Sequence, residues 1–251
     1  MFSLNSAEET YGGEKACRGQ FPYHVGLKMY SESGSAFICS GSITAKNWIL
    51  TAGHCVKDKI SAQIIAGSVN INNYDEDSQI RSATKGDFYL HPKFESGSFV
   101  NDIALIFVRD LKFSDTVQQV QLAYSNETFE NFDSFVAGWG MIDNENLRYT
   151  KLMVQSVHVC NKFYSGVDTE KQLCLRTTKD SSSCPGDSGG PLVLANNMKY
   201  EQVGIVSFGE NCTNGDPAVF TRVSPYRNFI EQTMISRYCS MGSCLGLPGR
   251  N

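Results

Sequence analysis

The chain has 251 residues, of which 41% are hydrophobic, enough for one large domain or two small ones sharing a cleft. Its 22 Lys and Arg stand against 26 Asp and Glu without forming a basic block, and no apolar stretch approaches the roughly 20 residues of a membrane span, so neither nucleic acid nor a membrane is expected as a partner. Nine cysteines without a Cys-x-x-Cys spacing argue against a structural zinc site and for an oxidising compartment, hence for secretion.

In chain order, Met1 to Glu9 lacks the basic start and apolar run of a signal peptide and reads as a leader or propeptide remnant. Short apolar or alternating runs then recur between Gly, Asn, Asp and Ser clusters: Phe37 to Ile43, Trp48 to Ala52, Ile103 to Val108, Leu152 to Val159, Leu192 to Leu194, Gln202 to Phe208 and Ala218 to Val223. That rhythm predicts an all-β protein. The polar stretch 114–131 is its expected internal connection. Ser224 as cap, Pro225 at the first helical position, and Tyr226, Phe229, Ile230, Thr233, Met234 and Arg237 at helical spacing predict a C-terminal helix. Residues 238–251, rich in Gly and Ser, are expected as a flexible tail. Asn126-Glu127-Thr128 is a glycosylation acceptor in a secreted chain, and Asn211-Cys212-Thr213 fits the pattern formally.

Three segments carry chemistry. Cys184-Pro185-Gly186-Asp187-Ser188-Gly189-Gly190-Pro191 sets a serine among glycines, where consecutive N–H groups can converge on a developing oxyanion beside a hydroxyl. Alone it is equally a Gly-rich structural turn. Thr51-Ala52-Gly53-His54-Cys55 follows an apolar run and presents a histidine just past a strand end, and Asn101-Asp102 puts an acid at the mouth of the strand Ile103 to Val108. A lone His is more often packed or solvated, and a lone Asp before a strand is more often a turn residue. Together, in the order His, Asp, Ser, they match one branch of the Ser/His/Asp enzymes.

On these motifs the chain resembles the chymotrypsin family of serine proteases over residues 10 to 237. Gly12-Gly13, Gln20-Phe21-Pro22-Tyr23, Cys39-Ser40-Gly41-Ser42-Ile43, Gly138-Trp139-Gly140, Ser207-Phe208-Gly209 and Pro217-Ala218-Val219-Phe220 fall where the family has its signatures. The resemblance implies two six-stranded antiparallel β-barrels, residues 10–116 and 117–237, with the active site between them and the helix at the end of the second. It implies His54 as general base and acid, Asp102 as its orienting partner, Ser188 as nucleophile, and the N–H groups of Gly186 and Ser188 as the oxyanion hole. It pairs Cys39 with Cys55, Cys160 with Cys174, and Cys184 with Cys212, leaving Cys17, Cys239 and Cys244. One of these must be free or bonded to another molecule. A bridge common in the family is missing, with Ser134 and Leu194 at its two positions. No functional role is expected for His24, His91 or His158.

By the same resemblance Ser182 is the floor of the primary pocket, and Gly209 and Ala218 are its walls. A neutral floor disfavours Arg or Lys, because an unpaired buried charge is costly, so cleavage after Phe, Tyr, Leu or Met is expected, with an elastase-like preference for small residues as the alternative. The loop 70–78, with Asp75, Glu76 and Asp77, matches the family's calcium loop but carries Ser68 and Ser78 where charged ligands belong, so it reads as a solvated acidic loop. No metal or cofactor is expected. Polypeptide substrates and protein protease inhibitors are the expected partners of a monomer. The family is switched on by a new N-terminal amine pairing with the acid before the nucleophile, here Thr10 and Asp187. Glu9 in place of Arg or Lys removes a tryptic activation site, and keeps open a latent or inactive homologue that works by binding.

Overall fold

The computed structural model describes residues 13–240, apart from 126, 141–144, 180, 197, 198 and 211 and the side chains of 196 and 199. Thr10, Asn126, Asn211 and Cys244 therefore lie outside the described residues. After a short strand β1 (Glu14–Lys15) come β2 (His24–Tyr30), β3 (Ala36–Ala45), β4 (Trp48–Thr51), β5 (Ser61–Ala66), β6 (Gln79–Thr84), β7 (Phe88–Leu90) and β8 (Ala104–Phe107), which form one antiparallel sheet in the order β6-β5-β2-β3-β4-β8-β7. The next seven strands are β9 (Gln121–Leu122), β10 (Asp133–Gly138), β11 (Arg148–Gln155), β12 (Gln172–Arg176), β13 (Pro191–Asn196), β14 (Lys199–Phe208) and β15 (Ala218–Arg222). They run β11-β10-β13-β14-β15-β12, and β12 pairs back onto β11. This second sheet is a closed ring of six strands, to which β1 adds at β11 and β9 adds in parallel at β14.

Alternation sets which side chains enter each core. Val25, Leu27 and Met29 of β2 fill the first barrel with Ile43, Trp48, Leu50, Ile64 and Leu105. The intervening Gly26 faces the other way, toward Ile71 and Trp139. The second core is built on Val136, Leu152, Leu175, Leu192, Val203 and Phe220. A third cluster draws on both sheets, with Ile65 from the first and Ala137 and Val193 from the second packed around Trp139, and it is the seam that holds the barrels together.

Some expectations change on contact with the fold. The run Leu152 to Val159 divides at Ser156, because β11 stops at Gln155 and Val157–Cys160 forms a short helix that brings Cys160 to its partner Cys174. Ser224 does not cap: Ser224–Tyr226 is a 3-10 turn with Pro225 in its first positions, and the Ser224 hydroxyl is buried without a hydrogen-bond partner. The α-helix proper, Arg227–Ser240, runs past Arg237 into the predicted tail. The connection 114–131 contains β9. Among the described residues Cys17 is free and exposed, whereas Cys239 is disulfide-bonded. At the positions of the missing bridge, Ser134 is buried with its hydroxyl on the Leu152 carbonyl (2.7 Å) and Leu194 joins the second core.

Candidate active site

Antiparallel pairing of β4 with β8 matches Thr51 to Ala104. His54, three residues beyond Thr51, and Asp102, two before Ala104, therefore emerge at the same end of one strand pair. Asp102 is fully buried. Its Oδ1 accepts the His54 backbone N–H at 2.8 Å, its Oδ2 lies 2.8 Å from His54 Nδ1 and accepts the Ser207 hydroxyl at 2.6 Å. The Thr221 hydroxyl donates to its backbone carbonyl at 2.9 Å. Ser207 and Thr221 belong to β14 and β15, so the first barrel supplies the acid and the second supplies two of its donors. With Nδ1 donating to the carboxylate, the lone pair of the imidazole is on Nε2, the atom free to take a proton. The Cys39–Cys55 bond ties β3 to the short helix Gly53–Val56 that carries His54.

Ser188 is placed from the other barrel by a turn wedged against β3 and β4. The Ser40 N–H donates to the Ser188 carbonyl at 2.7 Å, and the Thr51 hydroxyl donates to the Ser40 carbonyl at 2.8 Å. Gly189 has φ +82°, and a Cβ there would lie 2.1 Å from Thr51 Oγ1 and 2.5 Å from the Ser40 carbonyl, so only glycine lets the turn seat so closely. The Cys55 sulfur is 3.8 Å from His54 Nε2 and 3.5 Å from the Ser188 carbonyl oxygen, bringing the two segments to one spot. Among the described residues the Ser188 hydroxyl makes no hydrogen bond. In this turn the N–H groups of Asp187, Gly189 and Gly190 are all bonded, while those of Gly186 and Ser188 have no partner among the described residues.

Asp187 is buried, 8% exposed, and accepts two backbone N–H groups, Gly140 on Oδ1 and Cys184 on Oδ2, each at 2.8 Å. Gly138 makes room for it, since a Cβ there would fall 1.9 Å from Oδ1. No cation pairs with it among the described residues. Burial pushes its carboxyl up to about 6, against the downward pull of those two N–H groups.

Of the pocket positions, Gly209 and Ala218 are neighbours, a Cβ on Gly209 lying 3.6 Å from that of Ala218. Ser182 is half-buried with its hydroxyl on the Ser183 carbonyl at 3.2 Å. The Cys184–Cys212 bond ties the segment containing Ser182 and Ser188 to the loop between Gly209 and Ala218. In the acidic loop, Asp75 accepts the Val69 N–H at 3.1 Å, and Arg18 reaches both Asp75 and Asp77, so these two acids are paired rather than simply solvated.

Two features escape motif reading. Ser207 falls in a signature, yet its bond to Asp102 spans 105 residues and depends on strand register. Phe99, at φ +53°, lies edge-on to the His54 ring (centroids 5.7 Å) and against Phe208 (5.2 Å), which meets Tyr164 (5.3 Å). A non-glycine residue at such φ is uncommon, and the result is an aromatic wall beside His54. The only advance signal was an aromatic three residues ahead of Asp102.

Residues 10–230 match the family model described as Trypsin. A collagenase of Hypoderma lineatum is 33% identical over 228 residues, covering 88% of this chain and 85% of the relative, and chymotrypsin-2 of Vespa crabro is 34% identical over 232 residues, covering 89% and 99%. Among solved structures, that of HL collagenase superposes with a TM-score of 0.83 at 32% identity, covering 89% of this chain and 98% of the other.

Proposed function

Because the chain belongs to the trypsin family of serine proteases, we propose that it is a secreted endopeptidase that hydrolyses peptide bonds through an acyl-enzyme on Ser188. One observation carries this reading: a fully buried Asp102 facing His54 Nδ1 at 2.8 Å, from the same end of the β4–β8 pair. The Ser188 oxygen attacks the substrate carbonyl carbon while its proton passes to His54 Nε2. The C–N bond then breaks, and His54 returns the proton to the leaving amine. Water repeats the sequence on the ester, again giving its proton to His54, and Ser188 is regenerated. Asp102 holds the tautomer and stabilises the imidazolium. The oxyanion falls to the Gly186 and Ser188 N–H groups, which are without partners in the turn, and each donor of this kind is worth roughly 10²–10³ in turnover. The nucleophile–base contact tightens on substrate binding.

For specificity, Ser182 at the floor and small walls at Gly209 and Ala218 support cleavage after Phe, Tyr, Leu or Met. The wall of Phe99, Phe208 and Tyr164 favours apolar residues on the same side of the cut. An elastase-like preference is the alternative, since the Ala218 methyl narrows the pocket. Secretion accords with the disulfides, glycosylation at Asn126 and protein inhibitors as partners accompany it, and the domains are read as 10–116 and 117–237. The absence of a cation at Asp187 among the described residues favours a second reading, a latent form awaiting the Thr10 amine.

An organophosphonate should label the processed protein at Ser188, and Ser188→Ala should abolish labelling with the fold intact. Undiminished labelling of that variant removes Ser188 as nucleophile. A peptide library should show cleavage after large apolar residues, and cleavage chiefly after Arg or Lys overturns the pocket reading.

A further inference from the structure

Arg222 ends β15. Its neighbour Thr221 turns toward Asp102, so by strand alternation Arg222 projects to the opposite face. It is only 6% exposed, yet no carboxylate pairs with it among the described residues. Its Nη1 donates to the Glu127 carbonyl at 2.7 Å, Nε is buried with no partner, and Nη2 has none among the described residues. Nε–H and Nη2–H form one edge of the planar guanidinium, the fork that grips a carboxylate or a tetrahedral oxyanion with two parallel bonds.

Arg222 lines an open cavity of about 420 Å³ together with Thr128, Thr169, Ser224 and Pro225. Ser224 also brings a buried hydroxyl that has no partner among the described residues. The turn Ser224–Tyr226 leads directly into the helix Arg227–Ser240, so the positive end of that helix lies at the same place. Burial holds the Arg222 guanidinium below its ordinary pKa, a burden that an anion opposite it would relieve. Glu170, exposed at the rim, opposes a second negative charge, but it makes no ion pair with Arg222.

We infer that this cavity is a binding site for an oxyanion, a sulfate, phosphate or carboxylate group, held by the Nε/Nη2 edge of Arg222 and by the Ser224 hydroxyl. The cavity exceeds the size of an inorganic anion and leaves room for the molecule that bears the group.

The test titrates the full chain, inhibited at Ser188, with sodium sulfate, phosphate or acetate at ionic strength matched by sodium chloride, following the midpoint of thermal unfolding. Tetrahedral anions favoured over acetate identify a sulfated or phosphorylated ligand, and the reverse order a carboxylate. At least one anion should give a saturable rise at millimolar concentration. Arg222→Met should abolish it, Arg222→Lys, which keeps the charge but not the fork, should weaken binding roughly tenfold, and Glu170→Gln should tighten it. Should Arg222→Met fail to fold, Ser224→Ala serves, with a several-fold loss expected. Sulfate also stabilises proteins by exclusion from their surface, so an equal rise in wild type and Arg222→Met overturns the site. So does selenate bound elsewhere in a crystal, or no saturable response from either wild type or Glu170→Gln.

Discussion

Two buried carboxylates face the same cleft and are treated very differently. Asp102 meets two groups of His54 and the Ser207 hydroxyl, so its charge is held by donors from both barrels. Asp187 has two backbone N–H groups and no cation among the described residues, and burial pushes it up to about 6. Around His54 the hydrogen bonds of the acid are in place, while Asp187, beside Ser188, meets no cation among the described residues. In the proposed activation the Thr10 amine would supply that cation.

The largest effect should come from breaking the completed half. Asp102→Asn keeps the shape but favours the wrong imidazole tautomer, and a loss of roughly 10⁴ in kcat at neutral pH is expected, the magnitude known for this arrangement. Ser207→Ala removes one donor to the buried charge, a bond worth about 1.5–3 kcal/mol, so its loss in kcat should be much smaller. Steady-state kinetics on a peptide substrate measure both. If Asp102→Asn costs no more than Ser207→Ala, the carboxylate is not orienting His54.

The next effect comes from completing the other half. A chain whose first residue is Thr10 should gain turnover over one that begins upstream, by about 10²–10³, the worth of one oxyanion donor. KM should change less, since the donor acts mainly in the transition state. Thr10 and Tyr11 are less apolar than the family's usual pair, so the gain should fall toward the lower end. Equal kcat for the two chains, with the upstream residues shown by N-terminal sequencing to be intact, means that Asp187 is satisfied in another way.

The same contrast divides what local sequence encodes from what only the fold creates. His54, Asp102 and Ser188 sit in short segments whose composition betrays them: glycines around the serine, apolar runs beside the histidine and the acid. Ser207 falls in a family signature but meets Asp102 only through strand register, and Phe99 meets His54 only through a left-handed turn that no local pattern announces. Strands β2, β5 and β10 carry polar residues or glycine among their apolar ones, as in His24-Val25-Gly26-Leu27-Lys28, and so present no continuous apolar run. The assignment of Ser224 as a cap failed because a serine before a proline satisfies the sequence rule whether or not its hydroxyl reaches a backbone N–H. Here it is buried beside Arg222.

The smallest effect sharpens the contrast through pH. In a chain without the Thr10 amine, Asp187 titrates at about 6 against 3.8 in the unfolded chain. Its raised value contributes stability below about pH 4 that is lost as pH rises through about 6, on the order of 3 kcal/mol in all. His24 works in the opposite direction: buried with both ring nitrogens unpartnered, it is lowered by desolvation to about 3 from 6.5. Its contribution is present above about pH 6.5 and lost on acidification. Between pH 4 and 6 the two slopes are of equal size, about 1.4 kcal/mol per pH unit, and cancel. Denaturant unfolding across that window should therefore show stability rising with pH in Asp187→Asn relative to the parent, and falling with pH relative to the parent in His24→Gln. In the chain beginning at Thr10 the amine should hold Asp187 ionised across this window, which removes its falling contribution, so Asp187→Asn and its parent should there show parallel profiles. The same steepening in both chains would show that the amine never reaches the carboxylate.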